Sequence, residues 1–307
     1  MATRTERLHE DQRDDVRALV AAVTTTEERP PLSENKAMRL EGALDSREVV
    51  VIDDDGSLVG YGQAAWHRGE GDGPGHWALE VVVAPQSRVD SIVARLIEDL
   101  RVDVGDDEST LWSRSNYVSE TATTHGWLRQ RVLWEMHVNL PIAPADAVDL
   151  GFRFEAFRVG TDEGAWLEAN NATFAGHPEN GQMTRRDLEI RMAQHWFDSA
   201  GFVLAWHGAQ LAGSCWTKVH DNGVGEIYIV GVVPKWEGHG LGEALVRLGL
   251  DHLTDVKNTK NAMLFVESSN ERAIDLYQRL GFRMVRTVEA YSYPRLPPAV
   301  LPPKRGD

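Results

Sequence analysis

The stretch GEIYIVGVVPKWEGHGLGEALVRLGLDHL, residues 225–253, sets a β-branched and aromatic run ending in proline before a loop with glycine at 238, 240 and 242. An amphipathic segment with apolar residues three and four apart follows, so the order predicts a strand, a turn and a helix. Lacking side chains at Gly238, Gly240 and Gly242, the backbone can wrap around a bulky anion and aim N–H groups at it. The positive end of the helix dipole adds to that attraction, which makes the turn a candidate pyrophosphate cradle. A turn that simply needs positive φ angles would use the same glycines, so the neighbours must separate the two readings.

Working outward, the pattern occurs twice. VVVIDDDGSLVGYGQAAWH (49–67) and FVLAWHGAQLAGSCWTKVH (202–220) both read as hairpins with a glycine in the turn. Each is followed by a strand ending in proline, ALEVVVAP (78–85) or EIYIVGVVP (226–234), and then by a helix, SIVARLIEDLRV or LGEALVRLGLDHL. A further strand, a short helix and a last strand complete each half. The repeat predicts an α/β chain, α+β in its mixed sheet, with domains at 1–140 and 152–295. PIAPADAVD has a linker's composition, so 141–151 is read as the connection, and 296–307 as a proline-rich tail.

With 307 residues the chain has room for two ordinary domains, and 42% hydrophobic residues suffice to give each a core. The net charge of -15 repels phosphate backbones and anionic lipid, which argues against nucleic-acid and membrane partners. The only cysteine, Cys215, allows no intramolecular disulfide, and residues 1–10 lack the features of a signal peptide. A cytoplasmic location is expected. Cys215 is expected to be a small buried residue, and no His, Asp and Glu spacing makes a metal site, so His177 and His220 are read as polar structural or rim residues.

A second motif, N-x-x-A-x-x-x-Y-x-x-x-G-F, follows at Asn270, Ala273, Tyr277, Gly281 and Phe282. Together with the strand–proline–loop–helix order it resembles the GNAT superfamily of acyl-CoA N-acyltransferases. NNATFAGHPENG (170–181), WTKVH (216–220), GEIYIVGVVP (225–234), GLG (240–242) and FVESSNERAIDLYQRLGF (265–282) resemble the mycothiol synthase family more closely. The resemblance covers both halves and is more specific in the second. It implies two tandem GNAT domains, acetyl-CoA as co-substrate without a metal, and transfer of acetyl to the cysteinyl amine of desacetylmycothiol. It also implies acetyl-CoA contacts at Val230, Gly231, Val232, Glu237, Gly238, His239, Gly240, Leu241, Gly242, Glu243, Asn270, Arg272 and Ala273. Acceptor contacts are implied at Glu34, Glu179, Lys218 and Glu226. Tandem domains supply the pairing that many single-domain GNATs reach by association, so a monomer is expected.

The chemistry required can be set beside the residues. An α-amine has a pKa of about 7.7–8.0 and is partly protonated at neutral pH, so a base is needed. Glu226, at the start of a strand and read as sharing a face with Tyr228 and Val230, could take that proton directly or through one water. An N–H on the strand edge at Val230 to Val232 could receive the oxyanion. Tyr277 fills the family's general-acid position, although a lone tyrosine on an apolar helix face can equally be core. An exposed strand-end carboxylate is the rival reading for Glu226, as a solvated surface carboxylate is for Glu34.

Some positions depart from the family pattern. The first copy of the loop, PQSRVDSIV, has no glycine between Gln86 and Val93, so the first domain is expected to bind CoA weakly or not at all. Glu237 places a carboxylate beside the pyrophosphate position, where it would be repulsive, and Phe265 and His239 stand where the family often carries Tyr and Arg. Acetylation of another amine, such as an aminoglycoside or a protein N-terminus, and a non-catalytic acyl-CoA sensor remain alternatives. A sensor would need the cradle but neither Glu226 nor Tyr277.

Overall fold

Val49–Ile52 is apolar on both sides of its strand, and the computed structural model buries all four residues. Val49 and Val51 face one cluster of apolar side chains while Val50 and Ile52 face another, as expected of a sheet covered on both faces. The structure describes residues 4–41, 46–67, 75–105, 107–145, 149–175 and 182–293. Glu179, His177 and the 296–307 tail therefore lie outside the described residues, as do 146–148 of the connection.

The first elements are β1 (Arg4–Arg7), α1 (Arg13–Glu27), α2 (Glu34–Leu40), β2 (Arg47–Ile52), β3 (Leu58–His67) and β4 (His76–Val83). They are followed by α3 (Asp90–Val104), β5 (Ser109–Ser113), α4 (Asn116–Thr124) and β6 (Leu128–Asn139). The chain continues through β7 (Arg153–Ala156), α5 (Glu163–Thr173), α6 (Arg185–Met192), β8 (Phe202–His207), β9 (Gln210–Val219) and β10 (Gly225–Val232). It ends with α7 (Leu241–Asp251), β11 (Asn261–Glu267), α8 (Glu271–Arg279) and β12 (Arg283–Ser292). The expected mixed α/β class is borne out, with β2–β3 and β8–β9 as the hairpins and parallel pairs β4–β5 and β10–β11 joined through α3 and α7.

The chain divides into two compact units. One takes Met1–Trp66, His76–Arg131 and Glu289–Asp307, the other His67–Gly75 and Val132–Val288. These units are not the sequence repeats. In the first, Glu289–Ser292 of β12 pair antiparallel with β5, and in the second, residues 133–139 of β6 pair antiparallel with β11. Most of the strand that closes the first repeat, and the end of the strand that closes the second, thus lie in the unit that holds the other repeat's hairpin. Hydrophobic periodicity cannot reveal such an exchange, because it specifies which face of a strand is apolar and not which strand lies alongside.

In the second unit Leu241, Leu245, Val246, Gly249 and Leu250 form the buried stripe of α7. A Cβ built on Gly249 would stand 2.7 Å from Cys215 Sγ and 2.9 Å from Ile227 Cδ1, so the helix sits on β9 and β10 at glycine distance. Alanine would raise helix propensity by about 1 kcal/mol. Overpacking a filled core costs about 1–3 kcal/mol, so Gly249→Ala is expected to lower stability on balance, read as a reduced urea midpoint with an unchanged m-value. A raised midpoint would show that the helix can shift at no cost.

Candidate active site

β10 and β11 are paired only at Gly225–Ala262 and Glu226–Met263, although β10 runs on to Val232 and β11 to Glu267. Beyond Glu226 the β11-facing edge of β10 has no ladder partner in β11. The strands part there, and the backbone of Val230, Gly231 and Val232 lies along the opening. An acyl chain entering between the strands would meet main-chain N–H groups rather than a closed ladder.

Glu226 lies at the apex of this fork and is buried. A tight turn, with His220 N–H donating to the Val224 carbonyl and Gly223 at φ +81°, sets the β9–β10 register and puts Lys218 directly opposite Glu226. Lys218 Nζ lies 4.7 Å from the ring centre of Trp196 and 5.5 Å from that of Tyr228. The Tyr228 hydroxyl accepts from Arg191 at 3.0 Å. His220 brings Nε2 to 2.8 Å from a Glu226 carboxylate oxygen. Lys218, His220, Glu226 and Tyr228 thus form one polar, aromatic-walled patch. Trp196, Arg191 and the His220 contact went unrecognised in the sequence, where the only available signal was the spacing of 218, 220 and 226 about a glycine turn.

One expectation is corrected. The β9–β10 register shifts between Ile227 and Ile229, so strict alternation fails at Tyr228. Ile227, Val230 and Val232 pack on the α7 side, whereas Tyr228 and Ile229 both pack with Trp216 on the other. Glu226 therefore shares a face with Tyr228 but not with Val230. Gly231 faces the end of α5, where a Cβ would meet Thr173 Cγ2 at 2.5 Å.

Past the fork, Gly238 and Gly240 adopt φ of +83° and +77°. Gly240 caps α7 without a side-chain hydrogen bond, leaving the first-turn N–H groups of Leu241, Gly242 and Glu243 free of a side-chain cap. Leu241's side chain is core and the Glu243 carboxylate accepts from Arg247 at 3.0 Å, so a ligand would meet the backbone of this turn. His239 Nδ1 lies 2.9 Å from the Glu237 carbonyl, which requires the proton on that nitrogen. The Glu237 carboxylate is not isolated, because Arg272 Nη1 lies 2.6 Å away. That partner offsets the repulsion expected of Glu237. Asn270 caps α8, its side chain accepting from Ala273 N–H at 3.2 Å, which gives the N-x-x-A spacing a structural reason.

Tyr277 is buried in the α7–β11 core against Phe282. Burial, with a smaller contribution from Cys215, pushes its hydroxyl well above the usual tyrosine range. Burial alone pushes the Cys215 thiol up to about 12. An unfolded chain loses this proton near pH 8.5 while the folded chain keeps it, so this contribution to stability is complete below about pH 8.5 and declines above it. Native protein at pH 8 is expected to resist dithiobisnitrobenzoate and to release one equivalent of thionitrobenzoate per chain in urea. Fast labelling without denaturant would contradict the burial.

Glu34 opens α2 in the first unit and is half-buried there. The first-unit counterpart of the glycine turn is occupied by internal pairs. Arg88 contacts Glu27 at 2.5 Å and covers the Tyr117 ring, and Asp90, which starts α3, lies 2.8 Å from His125. A cavity of about 330 Å³ there is lined by Arg88, Asp90, Tyr117 and Glu120, among others. Among the described residues no group of three or more His, Cys, Asp and Glu could hold a metal ion, and no helix is long and apolar enough to cross a membrane.

Comparison with known proteins matches residues 166–282 to the acetyltransferase (GNAT) family. The mycothiol acetyltransferase of Geodermatophilus obscurus is 41% identical over 280 residues, covering 87% of this chain and 89% of the relative. The chain belongs to the mycothiol acetyltransferase family. The enzyme of that name from Salinispora arenicola is 37% identical over 290 residues, covering 91% and 92% of the two chains. A solved tandem GNAT protein from the clavulanic acid biosynthesis pathway superposes with a TM-score of 0.71 at 17% identity, over 96% of this chain and 99% of that one, and supports the fold alone. The GNAT match of this mycothiol acetyltransferase family member spans β10, the glycine turn and α8, the elements that build the fork and the cradle. As a GNAT acetyltransferase it uses acetyl-CoA as co-substrate.

Proposed function

We propose that this chain transfers acetyl from acetyl-CoA to the cysteinyl α-amine of desacetylmycothiol, with Glu226 as the base. The observation that carries the site assignment is the placement of a buried carboxylate at the apex of the β10–β11 fork, one strand from a glycine-capped helix. The acceptor's ammonium gives its proton to Glu226, and the free amine attacks the thioester carbonyl. A main-chain N–H in Val230 to Val232 receives the oxyanion; the attacking nitrogen then loses its second proton to water as the C–S bond breaks, which leaves the amide and the CoA thiolate. Lys218 and the Trp196–Tyr228 wall suit a hydroxyl-rich acceptor, supplying donors and a flat apolar surface.

For Tyr277, burial narrows the role implied by the resemblance. A thiol titrates near 8.5 and a free tyrosine near 10, and burial moves Tyr277 further up. Full proton transfer to the thiolate would be uphill, so Tyr277 acts by donating a hydrogen bond to the departing sulfur while keeping its proton.

The test is an acceptor panel in which initial rates of CoA release are measured with desacetylmycothiol, an aminoglycoside and a peptide with a free N-terminus. Desacetylmycothiol is expected to exceed the others in kcat/KM by at least about a hundredfold, since a site built to hydrogen-bond its substrate can reach about 10⁴–10⁵. Equal or higher turnover of another amine would replace this acceptor. Binding of acetyl-CoA with no turnover of any amine would favour a sensor.

A further inference from the structure

We infer that His220 takes over the proton that Glu226 removes from the acceptor and passes it to solvent, a positioning and relay role that rests on the base role proposed for Glu226. The Glu226 side chain is 8% exposed and has little direct access to water, whereas the His220 side chain is 26% exposed. His220 Nε2 itself is buried and lies 2.8 Å from the Glu226 oxygen. A contact of hydrogen-bond length joins the buried carboxylate to a ring that reaches solvent, which is the geometry a proton relay needs.

The surrounding groups leave this path to His220. Lys218, opposite Glu226 on β9, carries its charge over Trp196 and Tyr228, and Arg191 from α6 bonds the Tyr228 hydroxyl. On β11 the neighbour of Glu226 is Met263, which does not titrate. Beyond it on β6, His137 is held at 2.8 Å by the buried Glu135. At the β9–β10 turn, Asp221 lies 3.0 Å from His195, and both are exposed.

The proton balance is simple. The acceptor N–H bond breaks as an O–H bond forms on Glu226. That O–H bond then breaks as a bond forms to His220 Nε2, leaving carboxylate and imidazolium in contact. The imidazolium releases a ring proton to bulk water, and no other electron pair moves.

The experiment compares full-length wild type, Glu226→Gln, His220→Gln and His220→Ala, using acetyl-CoA with desacetylmycothiol. Both His220 variants are expected to lose kcat by at least about tenfold, less than the about 10²–10⁴ of a group that meets the substrate, with the KM for acetyl-CoA changed by less than about twofold. Added imidazole is expected to restore rate to His220→Ala, while pyrazole, of similar shape but far less basic, does not. His220→Gln fills the space and cannot accept the proton, so wild-type kcat in that variant overturns the inference, as does a His220→Ala variant indifferent to imidazole. Collapse of Glu226→Gln alongside an active His220→Gln would remove only the relay. Wild-type activity in Glu226→Gln would remove the base role and the relay together.

Discussion

Glu226→Gln is expected to lower kcat/KM by about 10²–10⁴ at neutral pH, the usual range for removal of a positioned general base. Glutamine keeps the volume at this buried position, so the loss reports the missing proton acceptor and not a collapsed strand. The KM for acetyl-CoA should change little, because the glycine turn that would hold the nucleotide lies beyond Pro234 on another part of the chain. The deficit has a sign with pH. Above about pH 8 the acceptor amine is already mostly unprotonated, so the gap between variant and wild type should narrow as pH rises. A loss of less than about fivefold across that range would mean that solvent, or another group, removes the proton.

The second large effect concerns Gly240. Its φ of +77° is a conformation that L side chains avoid, at a cost of about 1–2 kcal/mol, and a β-branched residue suffers most. The first turn of α7 depends on this residue as its N-cap, with no side chain to take over. Gly240→Val is therefore expected to raise the Kd for acetyl-CoA by about tenfold or more, since 1.36 kcal/mol corresponds to a factor of ten. Gly242→Ala is the control. A Cβ there meets only Val232 at 3.8 Å and Leu276 at 4.0 Å, ordinary contacts, so folding stability should not change. Any rise in Kd for Gly242→Ala then measures how closely the nucleotide approaches the backbone. Unchanged binding in Gly240→Val would place the pyrophosphate elsewhere.

What could be read in the sequence follows from the range of each interaction. The two hairpins, the proline-ended strands and the glycine-capped helix depend on local backbone geometry and periodicity, and all are present. The exchange of the closing strands, seen in β6 beside β11 and in the end of β12 beside β5, depends on contacts far apart in sequence that no periodicity encodes. The phase slip at Tyr228 was hidden for a similar reason, because a bulge takes one residue and leaves the apolar composition of the strand unaltered.

At the site, Glu237 illustrates the limit of reading charge from spacing. In the sequence its carboxylate is a repulsive charge beside the cradle, but α8 returns Arg272 to it from 35 residues away. For His220 the sequence supports a polar structural or rim role, because it carries no register. Only the turn at Gly223 sets that register, and it brings the ring to the Glu226 carboxylate. The glycines of the loop were easier, since positive φ at Gly238 and Gly240 is a property of the residues themselves.

The most direct test of the account is a thiol count during turnover with wild-type protein, acetyl-CoA and desacetylmycothiol. Acetyl transfer to the cysteinyl amine leaves the acceptor thiol free and releases CoA thiol, so the total thiol titre should rise by one for each acetyl-CoA consumed. A titre that stays constant while acetyl-CoA disappears would mean that the acetyl group has moved to sulfur, and would contradict amine acetylation at this site.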